Sequence, residues 1–335
     1  MYLTIFLLLA SLFLFNNLNK LTIFKKYYST SDEFLADSNT NKKPHVITAT
    51  GIVFLILFII SNIFLYFFEN EILFPNRYIF FIISLIFLTI FSFYDDYKPL
   101  DPILRLTVQL LSVYISLASL NLGDVSLPLK VTMFFAIIIW VYIINVTNFI
   151  DGSDGFCALN IIAFFSGLLI INYFVVELFS ANFALLLLPV LLIFLIFNFP
   201  NAKIYMGDTG AVFLGFLVGF SFLEIAINFN FLIAVILFIY PLLDCTITII
   251  KKLKKGFMPW ARHGDYFFLE LKKKTPFKLR KKIAFYILKT SLVQNILNIL
   301  FLCLAIYLKN NLILIFNFAI TFIVLLIFYK KKNNL

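Results

Sequence analysis

The chain alternates long apolar runs with short polar breaks. A membrane-spanning helix needs about 20 consecutive apolar residues, and the sequence holds about eleven such runs. The first covers Met1 to Leu18, the second Val46 to Phe67 and the third Tyr78 to Tyr94; a fourth leaves from Pro102 and a fifth covers Leu127 to Asn148. Four more follow at Phe156 to Val176, Ala181 to Phe197, Ala211 to Ile227 and Phe231 to Ile250, and a last pair precedes Lys330. This pattern predicts an all-α, polytopic transmembrane bundle forming a single domain over residues 1–335. The polar breaks lie near 20–45, 95–101, 149–155, 198–210 and 251–282. Even the longest is too short for an independent core. The first run lacks a basic start and a small-residue cleavage site, so it reads as a spanning helix rather than a removed signal peptide.

Lysines set the expected orientation. Lys20, Lys25, Lys26, Lys42 and Lys43 place the first break in the cytoplasm and the N-terminus outside. Counting onward, Asp95, Asp96, Asp151, Asp154, Asp208 and the basic stretch Lys251 to Lys282 all fall on that same face, and Lys330, Lys331 and Lys332 leave the C-terminus cytoplasmic. The outer breaks carry little beyond Glu69, Glu71, Arg77, Asp124 and Lys309. Carboxylates and lysines are independent observations, and they agree. Composition excludes a soluble protein: 62% of residues are hydrophobic and 13% charged, against about 45–50% apolar in ordinary domains. A net charge of +10 spread over short blocks suits anionic lipid and orientation rather than nucleic acid. Cys157, Cys245 and Cys303 share no ligand-like spacing, which argues against a disulfide frame or a zinc site.

Four polar groups can carry chemistry. Asp95 and Asp96 end an apolar run, with Lys98, Arg105 and Gln109 beyond them; adjacent carboxylates repel unless a cation compensates, so the pair reads as a metal-associated site, a tuned base or an ordinary loop cap. Asn145, Asn148, Asp151 and Asp154 recur every three residues and would share one face of a helical extension, the alternative being a hydrated loop. Asn198, Lys203 and Asp208 lead into a helix, where Asp208 could hold a cation beside bound phosphate or simply cap the helix. Arg262-His263-Gly264-Asp265 sits in the basic stretch, where it could grip a diphosphate or only set orientation.

Together these groups resemble the polyprenyl-phosphate N-acetylhexosamine-1-phosphate transferase family, membrane enzymes that begin O-antigen, teichoic acid and related glycan assembly. The resemblance runs over nearly the whole chain. It is carried by Asp37-x-Asn39 with Lys42 and His45; Asp95-Asp96 with Leu100, Arg105 and Gln109; Asn145-x-x-Asn148-x-x-Asp151-Gly-x-Asp154-Gly; Asn198-x-Pro200-x-Ala202-Lys203-x-x-Met206-Gly207-Asp208-x-Gly210; and Pro241 with Asp244 before Gly256. It implies that Asp208 and Asn148 hold Mg2+, or Mn2+ in its place, against the diphosphate of a UDP-N-acetylhexosamine. Asp95, Asp96 and Asp151 would be catalytic, the first two facing the phosphate of undecaprenyl phosphate, with Lys98 and Arg105 balancing its charge. Asn145 and Asp154 would lie near the uridine, and Asn198, Lys203, Arg262, His263, Lys42 and His45 would complete the substrate-binding set. The implied setting is the bacterial inner membrane with the site on the cytoplasmic face, no nucleic acid, and room for a homodimer.

The sequence departs from the family pattern at three places. Ala261-Arg262-His263-Gly264 replaces a His-Arg-x-His signature associated with sugar recognition, and the histidine cluster of the muramoyl-pentapeptide branch is missing, which points to the O-antigen or teichoic-acid branch. A Pro-Thr-Pro-x-Gly-Gly segment is reduced to Thr48-Ala49-Thr50-Gly51. Two rivals remain. A secondary transporter would carry its ionisable residues near the bilayer midplane, and an inactive membrane scaffold would tolerate loss of the aspartates, all of which are present.

Overall fold

The computed structural model describes residues 2–20, 28–30, 45–48, 50–68, 76–120, 122–200, 202–254, 256, 258 and 280–331. Each predicted apolar run is helical. In order the helices are α1 (Tyr2–Asn17), α2 (Gly51–Phe68), α3 (Ile79–Tyr97), α4 (Pro102–Ser116), α5 (Leu129–Ile150), α6 (Phe156–Phe174), α7 (Ala181–Asn198), α8 (Gly207–Asn228), α9 (Phe231–Leu237), α10 (Ile239–Lys254), α11 (Arg280–Leu308) and α12 (Leu312–Lys331). Among the described residues seven of these are long and apolar enough to cross a membrane, eight if the bent pair α9–α10 counts as one span. The other three runs marked in the sequence correspond to α1, α2 and α12, whose apolar stretches among the described residues are shorter. The chain is a multi-pass membrane protein. One small departure from an all-α fold is an antiparallel pair, β1 (Tyr28–Thr30) and β2 (His45–Ile47).

Helix α8 is the axis of the bundle. Every residue from Thr209 to Ile225 is buried, so this helix is apolar all round, as an enclosed helix must be. Its closest neighbour is α5, and small residues let the two backbones approach. A Cβ on Gly219 would stand 2.2 Å from Trp140 Cδ1, and one on Gly215 would stand 2.9 Å from Ile144 Cα. The Trp140 indole, wholly buried, donates to the Phe216 carbonyl at 2.9 Å, so its one polar atom is satisfied in the apolar interior.

The break between α9 and α10 has a local cause. The two helices meet at 81°, and Pro241 lacks the N–H that a continuous helix would aim at the Leu237 carbonyl. Helices α11 and α12 join the body through buried amides. Asn160 of α6 accepts from Ser291 and Asn295 of α11; Gln294 donates to Thr321 of α12, and Asn317 to Asn298. Between spans, such bonds are worth roughly 0.6–2 kcal/mol each.

Candidate active site at the N-terminus of helix α8

Helix ends from all over the chain converge where α8 begins. Asp95 and Asp96 close α3, Arg105 lies one turn into α4, Asn145 and Asn148 end α5, and the turns 151–155 and 198–206 lead into α6 and α8. Helix α4 is started by Asp101, whose carboxylate accepts from Ile103 N–H at 2.8 Å, followed by Pro102 at the first position; this fixes the angle at which Arg105 enters the site. The Arg105 guanidinium joins two acids through one nitrogen, 3.2 Å from Asp95 Oδ2 and 3.2 Å from Asp208 Oδ2. On its other oxygen Asp208 accepts from the Asn148 amide at 3.0 Å. Asp95 also accepts from Leu100 N–H at 2.7 Å.

Asp96 faces a different way. Its carboxylate accepts from the backbone N–H groups of Asp208 (3.0 Å) and Thr209 (2.9 Å) and from the Thr209 hydroxyl. Burial together with the carboxylates of Asp208, Asp96 and Asp154 pushes the Asp151 carboxyl well above the ordinary range, with the Gly207 N–H acting the other way. Helix α5 stops at Ile150, so Asp151 and Asp154 do not extend the helical face expected from their spacing. They sit instead on a turn whose last residue, Gly155, has φ 74°, a left-handed conformation that glycine adopts freely.

Two site loops are laced together by side chains. Asn198 accepts from Gly155 N–H at 2.6 Å and donates to the Ile204 carbonyl at 2.8 Å, so both ends of its amide hold backbone. Asp154 accepts from Ala202 N–H at 3.4 Å. The N-terminal segment grips the same loop: Tyr205 N–H bonds the Ile47 carbonyl, and the Thr50 hydroxyl donates to the Tyr205 carbonyl.

The arrangement concentrates hard oxygen donors around a single guanidinium. Among the described residues no three His, Cys, Asp or Glu side chains form a metal cage. Mg2+ does not require one, because it usually keeps water and binds through one or two carboxylates plus substrate phosphates. Asp208, on the first turn of a helix whose N-terminus also favours anions, fits that mode of binding.

The model of glycosyl transferase family 4 matches residues 78–228, from the lead-in to α3 to the end of α8. Over this stretch the chain is similar to glycosyl transferase family 4. The family segment holds every acid and amide of the cluster just described. Curated relatives match over parts of their length. A phospho-N-acetylmuramoyl-pentapeptide-transferase of Leuconostoc citreum (strain KM20) is 34% identical over 116 residues, 34% of this chain and 35% of the relative. A probable undecaprenyl-phosphate N-acetylglucosaminyl 1-phosphate transferase of Bacillus subtilis (strain 168) is 30% identical over 138 residues, 40% of this chain and 37% of the relative. A phospho-N-acetylmuramoyl-pentapeptide-transferase of Staphylococcus carnosus (strain TM300) is 30% identical over 198 residues, 52% and 60% of the two chains. The chain thus spans about a third of the first two relatives and three fifths of the third, and relatives of both branches match.

Of the residues singled out in the sequence, Asp95, Asp96, Arg105, Asn145, Asn148, Asp151, Asp154, Asn198 and Asp208 lie on the elements that meet at this family segment's centre. Lys98 and Lys203 are exposed beside it. Of His45 only the backbone in β2 is described, and Lys42, Arg262 and His263 lie outside the described residues. Asp208 does not cap α8 with its side chain; the cap position is Met206, which makes no side-chain bond. Sequence reasoning gave no role to Thr209 or to the grip of Ile47 and Thr50 on Tyr205, and none to Gln109, which accepts from Asn145 at 2.7 Å. The signal for Gln109 was present: a polar side chain inside a spanning helix is costly unless it has a partner.

Proposed function

We propose that the protein transfers a sugar 1-phosphate from a UDP-N-acetylhexosamine to undecaprenyl phosphate, releasing UMP, at the cytoplasmic face of a bacterial inner membrane. The observation that carries this reading is the convergence of Asp95, Asp96, Asp151, Asp208, Asn148 and Arg105 at the ends of apolar helices. One substrate is anchored in lipid and the other comes from water, so their phosphates can meet only at such a boundary. A transporter would instead need these groups near the midplane of broken helices.

In the proposed reaction an oxygen of the lipid phosphate attacks the β-phosphorus, the bond to the bridging oxygen breaks, and UMP leaves. The two reactants are anions, and lowering their repulsion is the main task. Arg105 is suited to it, with 32% of its side chain exposed and a planar fork for phosphate. Asp95, bonded to the same guanidinium, is placed to take the proton of a lipid phosphate that arrives as the monoanion. Asp208 and Asn148 are the residues that would hold Mg2+, or Mn2+, which when bound neutralises charge on the diphosphate. The chain has only two histidines, which supports the O-antigen or teichoic-acid branch over the muramoyl-pentapeptide one.

The test is incubation of the purified protein in nanodiscs with Mg2+, undecaprenyl phosphate and a panel of UDP-N-acetylhexosamines, following UMP. Release that needs both lipid acceptor and metal is the expected result, with the best donor naming the sugar. Folded protein that releases none with any donor, UDP-N-acetylmuramoyl-pentapeptide included, would overturn the assignment.

A further inference from the structure

A helix begins with N–H groups that none of its own carbonyls can take, and Met206, before α8, offers no side-chain acceptor bond. Other elements supply the acceptors. Asp96, at the end of α3 and 112 residues before Asp208, takes two of these N–H groups, Asp208 at 3.0 Å and Thr209 at 2.9 Å, and receives the Thr209 hydroxyl as well. Its neighbour Asp95 makes none of these bonds and instead meets Leu100 N–H and Arg105. The two adjacent aspartates therefore have separate duties.

We propose that Asp96 is a positioning residue, a helix cap supplied across the bundle by α3 that fixes the first turn of α8 and so aims the carboxylate of Asp208. Capping normally comes from the residue just before the helix, where Ser, Thr, Asp and Asn are the effective types. Here an aspartate reaches the same donors from another helix, and its charge suits the positive end of the dipole. Asp208 is held at both levels: its N–H by Asp96, its carboxylate by Asn148 and Arg105. If the first turn shifts, that carboxylate moves with it. For Asp96 to act as a base on a phosphate it would have to release three donors.

The consequence for turnover rests on the proposed transferase function, whereas the cap itself does not, and the experiment separates them. Hydrogen exchange is followed by mass spectrometry on the full chain in nanodiscs, in peptides covering 204–212. Asp96→Ala should speed exchange of the first-turn amides by up to about tenfold, the size of one lost cap. Asp96→Asn, which keeps an acceptor oxygen, should fall between it and the wild type, and Asp95→Asn should leave exchange unchanged. In UMP release, Asp96→Asn should retain several-fold more kcat than Asp96→Ala, the rescue expected of a cap, since Asn caps nearly as well as Asp. Both should need more Mg2+ for half-saturation, and Thr209→Val should shift the Mg2+ requirement the same way. Wild-type exchange in α8 for Asp96→Ala, or an Asp96→Asn enzyme as inactive as Asp96→Ala, would overturn the proposal. Should Asp96→Ala not fold, Thr209→Val carries the exchange test, with faster exchange expected and unchanged exchange overturning it. If the wild type makes no UMP, the transferase reading fails while exchange still decides the cap.

Discussion

Arg105 shares one nitrogen between Asp95 and Asp208, and this cation, ion-paired to two acids of the cluster, makes charge the governing quantity at the residue scale. Asp208→Asn removes one unit of negative charge with little change of volume. It should lower metal-dependent UMP release by about 10²-fold or more, as expected when one preorganised charge contact is lost, while leaving membrane insertion and melting close to wild type. Near-normal turnover in that variant would refute the metal role. Asp151 gives a second prediction, in stability. Burial and then Asp208, Asp96 and Asp154 raise its carboxyl well above the ordinary range, with only the Gly207 N–H opposing them. An acid raised in the fold holds its proton more tightly folded than unfolded. Below the ordinary carboxylate range, about pH 4, both states are protonated and nothing is lost. As pH rises above it the unfolded chain ionises first, and stability falls until the folded value is passed. Asp151→Asn removes the penalty, so in EDTA at pH 7 it should melt higher than wild type, the gap closing toward about pH 4. A variant that melts lower at pH 7 would show the charge to be compensated.

At the scale of elements, the approach of α2 to α8 decides where that cluster sits. A Cβ on Gly51 would stand 2.2 Å from Gly210 N and 2.3 Å from its Cα; backbone, unlike the tip of a side chain, cannot step aside. Gly51→Ala should therefore push the starts of the two helices apart, costing about 1–3 kcal/mol and lowering kcat several-fold. The comparison that checks it is Gly123→Ala, where the added Cβ meets nothing; equal losses in both variants would remove the special role of the contact. The same contact shows what could be read in the sequence and what could not. Apolar runs announced the helices because burial in lipid leaves the backbone few alternatives, and polar residues at the ends of those runs announced the site. The residues Thr48-Ala49-Thr50-Gly51 read as erosion of a pattern, yet Thr50 and Gly51 touch the loop and turn beside Asp208. That role, like the cap from Asp96 to Thr209 and the pairing of Gln109 with Asn145, joins residues distant in sequence, and local pattern carries no record of such contacts. The spacing of Asn145, Asn148, Asp151 and Asp154 misled for the opposite reason. A helical period was assumed to continue past Ile150, where the chain turns.

Over the whole molecule the helices alternate between two ends of unlike chemistry. One end carries the aspartate cluster, with Lys98, Lys203, Lys251 and Lys254 around it. The other carries Arg77, Lys130 and Lys309, and its buried carboxylate Glu224 accepts from Phe179 and Ser180 N–H at the start of α7. Asn230, before α9, pairs with Asn311 at that second end, so the bent pair α9–α10 and the hairpin α11–α12 follow the same alternation as the central helices. The excess of lysine at the aspartate end is what cytoplasmic orientation demands, and UDP-sugars are cytoplasmic substrates, so topology and proposed chemistry stand or fall together. Single cysteines provide the test, in a background with Cys303, the exposed native cysteine, changed to serine. In intact cells, an impermeant maleimide with access to the outer surface of the membrane should label Lys130→Cys and Lys309→Cys at once, and Lys203→Cys and Lys254→Cys only after that membrane is permeabilised. Labelling of Lys203→Cys from outside would place the aspartates away from their nucleotide and defeat the transferase reading, whatever the purified protein did in nanodiscs. Agreement at Lys130 and Lys203 with reversal at Lys309 would instead mean that α9–α10 enters and leaves on one side, which its 81° bend would permit.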